Sequence, residues 1–271
     1  METFPMRILM ATDGSEDSAV AARAAAGISR TMGSELHVVH AWRSLPHYAY
    51  PSLVPEAFHP PYEEGARRIL ERQVEQVRKA GGTVAEAHLR TGGVTDEILD
   101  LVEDLRPGLL VAGSRGLGPV KHLLLGSVSE ALVHHAACPV LVVRGGEGAW
   151  PPQRIVVGDD GSEAARGAGE LAESISGPFV AGMVLVRAQP IASRPPDLPD
   201  SERETYDRLP SEDKQRGMKE LEERAAEVTR DLGIRPEVRL LMGEEATAAI
   251  LAASGEDAST LVAVGSRGLA Q

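Results

Sequence analysis

The sequence predicts an α/β fold in which two similar domains follow one another, each built on an open, mostly parallel sheet. The first observation is an internal repeat, since RILMATDGSE at residues 7–16 returns as RIVVGDDGSE at residues 154–163. The second is that short apolar runs alternate with helical patterns, as in βαβ units. The third is GGEGAWPP at residues 145–152, whose glycines and prolines are typical of a linker. We therefore predict domains at residues 1–146 and 153–271.

Two further pairs of similar strings occur in the same order along the chain. LHVVHAW at residues 36–42 corresponds to MVLVRAQ at residues 183–189, and LVAGSRGL at residues 110–117 corresponds to LVAVGSRGL at residues 261–269. Three matches in one order indicate duplication of a globular domain, because a repeat of about 145 residues is far longer than a solenoid unit.

The elements of the first domain follow from their apolar patterns. Short continuous apolar runs are typical of strands buried on both faces. Apolar residues at i, i+4 and i+7, such as Leu70, Val74 and Val77, indicate helices. Thr95 is placed to cap the third helix. The predicted order is a strand at 8–11, a helix at 17–32, a strand at 36–40, a helix at 64–80, a strand at 84–89, a helix at 95–105, a strand at 109–112, a helix at 127–137 and a strand at 139–144.

Two proline-rich segments, residues 44–62 and their counterpart 190–213, are predicted as loops. Loops of this length either act as lids over a ligand or are simply mobile connections, and the sequence leaves both interpretations open.

Composition limits the partners. The net charge is −12 and no basic stripe is present, so we expect no nucleic-acid partner. No apolar run reaches the roughly 18 residues of a spanning helix, and residues 1–14 lack the pattern of a signal peptide. With one cysteine, Cys138, the chain forms no intramolecular disulfide. We expect a cytoplasmic protein with no membrane partner.

The strand-to-helix turns are the places where an open α/β sheet binds its ligand. The first turn, TDGS at residues 12–15, contains neither a G-x-G-x-x-G fingerprint nor a P-loop. After the fourth strand comes GSRG at residues 113–116, then nine further residues, and then Gly126-Ser127 at a helix start, where N–H groups and the helix dipole favour an anion. Arg115, Lys121 and His122 add positive charge. This spacing suits a polyphosphate, but it also fits glycines that only turn the chain and a serine that only caps a helix.

The combination of MATDGSE, the VVHA strand end, GSRG with its later Gly-Ser, and CPVLVV resembles the universal stress protein family. The resemblance covers both halves, although only the first is complete. It implies two Rossmann-like, adenine nucleotide α-hydrolase-like domains with a five-stranded sheet of order 3-2-1-4-5. It also implies bound ATP, with Mg²⁺ accompanying it, and pairing of domains through the last strand. The site residues that it implies are Ala11, Asp13, Ala41, Gly113, Arg115, Gly116, Gly126, Ser127 and Val128.

The resemblance also implies a role for individual positions. Asp13 contacts the adenosine and the backbone of Ala41 reads the adenine edge. Gly113 and Arg115 line the ribose and phosphate path. The phosphates are held by Gly116, Gly126, Ser127 and the Val128 amide.

The second domain departs from the pattern. It keeps Asp160, Gly161, Ala188, Gly265 and Gly268 but has no counterpart of Gly126-Ser127, of the helix that follows or of the fifth strand. We expect little or no nucleotide there. The apolar strand at 260–264 then becomes an edge that invites pairing, and the strand at 140–144 offers a second route to a homodimer.

No catalytic group or metal site is predicted. His134 and His135 point apart on a helix, His40 ends a buried strand, and His88 has no His or Cys partner at ligand spacing. Cys138 is expected to be a buried, inert thiol. The leading interpretation is an ATP-binding regulatory protein of the stress response that is not an efficient enzyme. The alternatives are a nucleotide-dependent enzyme, from a slow ATPase to an adenylating or pyrophosphatase type, and a dimerisation module that binds no nucleotide.

Overall fold

The computed structural model describes residues 7–43, 59–116, 125–144, 150–179, 182–191, 200–255 and 259–266. The chain divides into two compact units, Met1–Pro151 and Pro152–Gln271. Unit 1 and unit 2 are described separately below. Within the described ranges, no helix has both the length and the apolar character that crossing a bilayer requires.

Strands and helices alternate through the described residues of unit 1. Its sheet has the order β3-β2-β1-β4-β5, and every pair of neighbouring strands is parallel. This confirms the predicted fold class and strand order. The strands are β1 (Arg7–Ala11), β2 (Glu35–Trp42), β3 (Val84–Thr91), β4 (Leu109–Gly113) and β5 (Val140–Val143), and the helices are α1 (Glu16–Met32), α2 (His59–Lys79), α3 (Val94–Leu105) and α4 (Ser127–His135).

The central strands of unit 1 are buried on both faces, as their continuous apolar runs predict. Ile8, Leu9 and Met10 of β1 are fully buried. On one face of the sheet, alternate residues of β1, β2 and β4 pack with Ile98, Leu101 and Val102 of α3 and with Leu132 of α4. On α1, an alanine-rich buried face lets the helix lie close to its neighbours.

Two helix starts differ from the prediction. Helix α2 begins at His59, inside the segment predicted as a loop, and Pro60 and Pro61 occupy its first turn. Proline is tolerated there because the first helical N–H groups have no partner within the helix. Helix α3 begins at Val94 and its N-cap is Gly93, which makes no side-chain hydrogen bond. The prediction that Thr95 caps this helix is therefore wrong, because the chain turns into the helix two residues earlier.

Unit 2 has the same alternation and a four-stranded parallel sheet of order β8-β7-β6-β9. Its described strands are β6 (Arg154–Gly158), β7 (Gly182–Gln189), β8 (Glu237–Met242) and β9 (Thr260–Ala263), and its helices are α5 (Glu163–Phe179), α6 (Asp200–Leu232) and α7 (Ala246–Ser254). No fifth strand joins this sheet within the described residues, as the sequence predicts.

Helix α6 covers most of residues 190–213, so the prediction of a loop there is wrong beyond residue 199. The same helix contains the charged run at 220–230. Its charged residues mostly face solvent, but Leu221, Ala225 and Val228 are buried at helical spacing and anchor it. The other segment predicted as a loop, residues 44–62, lies mostly outside the described residues, so its role as a lid or as a connection stays open.

Candidate functional site

The candidate site lies where the strand order of unit 1 reverses. Strand β1 is hydrogen-bonded to β2 on one side and to β4 on the other, so the chain leaves the sheet in opposite directions from β1 and β4. A cavity of about 430 Å³ opens at the carboxyl ends of these strands. All nine residues predicted for the site line this cavity: Ala11, Asp13, Ala41, Gly113, Arg115, Gly116, Gly126, Ser127 and Val128.

The turn between β1 and α1 is fixed by its own side chains. Gly14 has a φ of +81°, which glycine adopts without strain. Asp13 Oδ1 accepts a 3.0 Å hydrogen bond from the Ser15 N–H, and Ser15 caps α1 by accepting a 3.2 Å hydrogen bond from the Ser18 N–H. These bonds hold the Asp13 carboxylate at the cavity wall.

This first turn is connected to the turn that follows β4. The Ser15 hydroxyl group donates to the Arg115 carbonyl oxygen at 3.1 Å. Asp17, in the first turn of α1, accepts hydrogen bonds at Oδ2 from the Ser114 hydroxyl group at 2.7 Å and from the Arg115 N–H at 3.1 Å. Since Ser114 and Asp17 are both buried, these bonds are shielded from water and fix the two turns relative to one another.

One glycine of the GSRG turn, Gly113, is required by close approach. A Cβ atom on Gly113 would lie 2.8 Å from the backbone carbon of Asp17 and from the nitrogen of Ser18, neither of which can move easily. A Cβ atom on Gly116 would meet only the end of the Asp13 side chain, which can move aside, so packing does not require this glycine. The absence of a Cβ atom at Gly113 therefore lets the β4 turn lie against the start of α1.

The N-terminus of α4 forms the opposite wall. Its N-cap, Gly126, makes no side-chain capping bond, whereas Ser15 caps α1. The Gly126 N–H donates to the Ser114 carbonyl oxygen at 2.7 Å, and the Ser129 hydroxyl group donates to the Gly113 carbonyl oxygen at 2.7 Å. These bonds fix the helix start against the turn. The first N–H groups of a helix have no partner within it, so they are available to an anion or to water.

The floor of the cavity is apolar. Ala41, Val94, Ile98, Ala112 and Leu132 line it, and most of these residues belong to the buried core. Such a cavity, apolar at its base and polar at one wall, suits a ligand with a flat apolar group and a charged tail.

Asp17 and Ser114, which fix the two turns beside the cavity, escaped the sequence analysis. The only signal in the sequence is that Asp17 lies in the first turn of a helix, where a carboxylate is common for electrostatic reasons alone. Lys121 and His122, predicted to add positive charge, lie outside the described residues. Arg115 is about one-third exposed at the rim, with its Nε 3.5 Å from Asp17 Oδ2.

Comparison with known proteins decides the family. The model of the universal stress protein family matches residues 6–144 and again residues 152–271. The chain belongs to the universal stress protein family. The two matches also confirm the predicted tandem repeat.

Single-domain relatives each match about half of the chain. A universal stress protein from Thermus aquaticus is 38% identical over 141 residues, which are 51% of this chain and 97% of that protein. The Bacillus subtilis universal stress protein YxiE is 35% identical over 150 residues, which cover 51% of this chain and 98% of YxiE. A solved universal stress protein from Archaeoglobus fulgidus covers 98% of this chain and 86% of its own, with a TM-score of 0.65 and 22% identity, so it shares the fold.

The second universal stress protein unit repeats the first turn closely. Gly161 has a φ of +82°, and the Ser162 N–H donates to Asp160 Oδ1 at 2.9 Å. A Cβ atom on Gly265 would lie 2.7 Å from the nitrogen of Ala165 and 2.8 Å from the backbone carbon of Ala164. The close approach of the two turns is therefore common to both units of this universal stress protein.

The polar contacts around that turn differ between the units. In unit 1, His40 Nδ1 lies 2.8 Å from the Thr12 carbonyl oxygen. In unit 2, Arg187 replaces this histidine and Asp159 replaces the threonine, and Arg187 donates to Asp159 Oδ1 at 2.9 Å and to the Asp159 carbonyl oxygen at 3.1 Å. Ala164 stands where unit 1 has Asp17, so the carboxylate that fixes the GSRG turn has no equivalent.

The structure also shows the surroundings of the cysteine and the histidines considered in the sequence analysis. Partial burial raises the pKa of the Cys138 thiol to about 11, although a backbone hydrogen bond involving Leu110 works in the opposite direction. This thiol is therefore protonated at neutral pH and is a poor nucleophile. The rings of His134 and His135 are tilted by 59° with centroids 6.4 Å apart. His88 has a histidine neighbour that its position in the sequence does not predict, because His37 of the neighbouring strand lies beside it.

Proposed function

We propose that this universal stress protein binds ATP, with Mg²⁺ accompanying it, in unit 1 and acts as a regulatory protein of the stress response. The observation that carries the proposal is the N-terminus of α4, which no side chain caps and which opens on the cavity beside the GSRG turn. An anionic group is the natural partner of such a terminus. Family membership supports the regulatory role.

The parts of ATP suit different walls of the cavity. The adenine ring suits the apolar base at Ala41 and Ile98. A ribose hydroxyl group suits the Asp13 carboxylate, which is an acceptor that would repel a phosphate at the same place. The phosphates suit the start of α4 at Gly126, where the N–H groups of Ser127 and Val128 have no partner within the helix, with Arg115 supplying positive charge at the rim. Mg²⁺ would neutralise part of the phosphate charge.

We propose that unit 2 binds little or no nucleotide. Its turn holds an ion pair between Arg187 and Asp159, and both side chains are mostly buried. Arg187 Nη1 also lies 2.5 Å from Glu220, so two carboxylates already neutralise this cation and it is not available to a phosphate. The expected stoichiometry is one ATP per chain.

The direct test is to denature the purified protein, identify any released nucleotide by mass spectrometry, and titrate the nucleotide-free protein with ATP by calorimetry. Gly126→Asp places a carboxylate where we expect the phosphates, and Gly126→Asn is the matched neutral control. Aspartate and asparagine are equally good N-caps, so both variants should be at least as stable as the wild type. We expect Gly126→Asp to lower ATP affinity at least about tenfold more than Gly126→Asn does, since one charge in this position costs 1.4 kcal/mol or more.

The outcomes separate the alternatives. Failure to bind ATP at millimolar concentration would contradict the proposal and favour a dimerisation module. Two ATP molecules per chain would contradict the account of unit 2. Multiple turnovers of ATP within minutes, abolished by Gly126→Asp, would instead indicate an enzyme.

We further propose a homodimer. Strand β5 is hydrogen-bonded to β4 on one side and has no second strand partner among the described residues. The resemblance to the family implies pairing through this strand, and an unpaired edge favours addition of another chain. Light scattering of the purified protein should give twice the mass of one chain, and a monomer at micromolar concentration would contradict this proposal.

A further inference from the structure

Two histidines that are 51 residues apart in the sequence meet between the edge strand β3 of the unit 1 sheet and its neighbour β2. In the parallel pairing of β2 with β3, His37 is opposite Glu86 and Val39 is opposite His88. Because side chains two residues apart on a strand point to the same face, Glu86 and His88 both lie on the face that carries His37. His37 Nδ1 and His88 Nε2 are 3.1 Å apart.

The two imidazole rings point these nitrogens at one another. Their planes differ by only 17° and their centroids are 5.4 Å apart, so with 3.1 Å between the nitrogens the rings meet edge to edge. Ring nitrogens that point at one another at 3.1 Å share a proton in an N–H···N hydrogen bond, and a metal ion replaces this proton once both rings rotate so that their lone pairs converge beside the N···N line. Two histidine ligands of a tetrahedral zinc ion lie about 3.3 Å apart, given zinc–nitrogen distances of about 2.0–2.1 Å.

Glu86 supplies a third donor. Its carboxylate and the two histidines each offer a ligand atom, and these three atoms all lie within 4.8 Å of one another. The Glu86 side chain is about two-thirds exposed, so it can adjust to a bound ion, and a fourth position can be taken by water. Two imidazoles, one carboxylate and one open position form a donor set that zinc commonly adopts.

The second ring nitrogen of His37, Nε2, lies near the carboxylate of Glu35. His37 Nε2 is buried and has no hydrogen-bond partner, but it lies 4.0 Å from Glu35 Oε2. A metal bound at Nδ1 would leave the proton on Nε2, and ligating histidines usually donate this second N–H to a carboxylate. Glu35 would reach it with a small rotation, because its side chain is largely exposed.

Charge around the cluster also suits a cation. The nearby arginines, Arg7 and Arg90, lie 3.3 Å from Glu35 and 3.6 Å from Asp104 respectively, so each is engaged by a carboxylate.

We propose that His37, His88 and Glu86 form a binding site for a divalent transition metal, with Zn²⁺ as the reference ion. Imidazole nitrogens select such ions over Mg²⁺ and Ca²⁺, which prefer oxygen ligands. The site is separate from the nucleotide cavity, because His37 precedes Ala41 by four residues on β2, or about 13 Å along the strand. Neither proposal depends on the other.

The test uses the full chain without an added histidine tag. Co²⁺ serves as a spectroscopic probe because tetrahedral coordination gives an intense visible absorption, and Zn²⁺ affinity is measured by competition with a chromophoric chelator. We expect the wild type to bind one Co²⁺ with this absorption and Zn²⁺ to displace it. His88→Gln should lower Zn²⁺ affinity by at least about tenfold. His134→Gln, which removes an exposed histidine on α4, is the matched control and should leave the affinity unchanged.

Two additional measurements keep the test decisive. Circular dichroism must show that His88→Gln is folded, and His88→Cys, which restores a ligand of similar reach, should recover the Co²⁺ absorption with a sulfur charge-transfer band. The proposal is overturned if Co²⁺ shows no tetrahedral absorption, or if His88→Gln and His134→Gln bind Zn²⁺ as tightly as the wild type. It is also overturned if ¹⁵N spectra show a proton still shared between His37 and His88 at saturating Zn²⁺.

Discussion

Ser114 Oγ donates a 2.7 Å hydrogen bond to Asp17 Oδ2, joining the turn after β4 to the first turn of α1 across 97 residues of sequence. The same carboxylate oxygen accepts the Arg115 N–H at 3.1 Å. One side chain therefore fixes the backbone of the GSRG turn, although the pattern of glycines that marks the turn does not include it.

Replacement of Asp17 by alanine should destabilise unit 1 and weaken nucleotide binding together. The part-buried Arg115 N–H and the buried Ser114 hydroxyl group would lose their acceptor, which costs about 1–3 kcal/mol of unfolding free energy. We expect ATP affinity to fall about tenfold, because the turn would no longer be held beside α4. Urea unfolding and calorimetry measure the two effects.

The neighbouring residue provides the control for this experiment. Glu16 lies in the same helical turn but is exposed, so Glu16→Ala should change the unfolding free energy by less than about 0.5 kcal/mol. An equal effect of the two substitutions would mean that Asp17 acts only through the helix dipole.

Glycine-to-alanine substitution in each GSRG turn should show which turn affects only the stability of the protein and which also affects ATP binding. At Gly113 the new Cβ atom would lie 2.8 Å from backbone atoms of α1, and at Gly265 it would lie 2.7 Å from the backbone of α5. Each substitution should lower the unfolding free energy by about 1–3 kcal/mol, because neither backbone can move away without strain. Only Gly113→Ala should lower ATP affinity. If Gly265→Ala weakened ATP binding equally, unit 2 would also take part in binding.

We expect that the Arg187–Asp159 ion pair of unit 2 can be replaced by the histidine–threonine contact of unit 1 with little loss of stability. Arg187→Met would leave Asp159 mostly buried without its cation and should cost about 3 kcal/mol in thermal or urea unfolding. Changing Arg187 to histidine and Asp159 to threonine together reproduces the unit 1 residues and should return stability to within about 1 kcal/mol of the wild type.

An exposed ion pair provides the control for the Arg187 and Asp159 substitutions. Arg166 and Glu227 are 3.8 Å apart at the surface, and Arg166→Met should change stability by less than about 1 kcal/mol. Strictly additive effects of the Arg187 and Asp159 substitutions would show that the pair is not coupled.

Alkylation of Cys138 should be slow at neutral pH. Its pKa is raised to about 11 because burial disfavours the thiolate, so the reactive form is scarce until the pH approaches that value. With iodoacetamide, we expect the rate for the folded protein to rise about tenfold per pH unit between pH 7 and pH 10. In urea, the rate should instead level off near the ordinary thiol pKa of about 8.5. A folded-state midpoint near 8.5 would show that burial does not control this thiol.

Much of the fold could be predicted because each unit repeats local patterns that have one physical interpretation. Continuous apolar runs such as Ile8–Met10 are buried on both faces, which only a sheet covered by helices provides. The boundaries that failed, at Thr95 and in residues 190–213, lie where caps and a charged helix depend on tertiary packing. A charged run like that of α6 becomes a stable helix once Leu221 and Val228 find a core to bury against.

The sequence by itself determined the duplication, the parallel sheet and the glycines that let the GSRG turns lie against their neighbouring helices, because repeats, periodicity and the absence of a Cβ atom are properties of the chain. Only the tertiary structure decided which distant side chains meet. Asp17 reaches Ser114 across two strands that are neighbours in the sheet, and His37 reaches His88 through the register of β2 with β3. No spacing along the chain encodes such pairs, since they follow from how the strands are ordered and aligned.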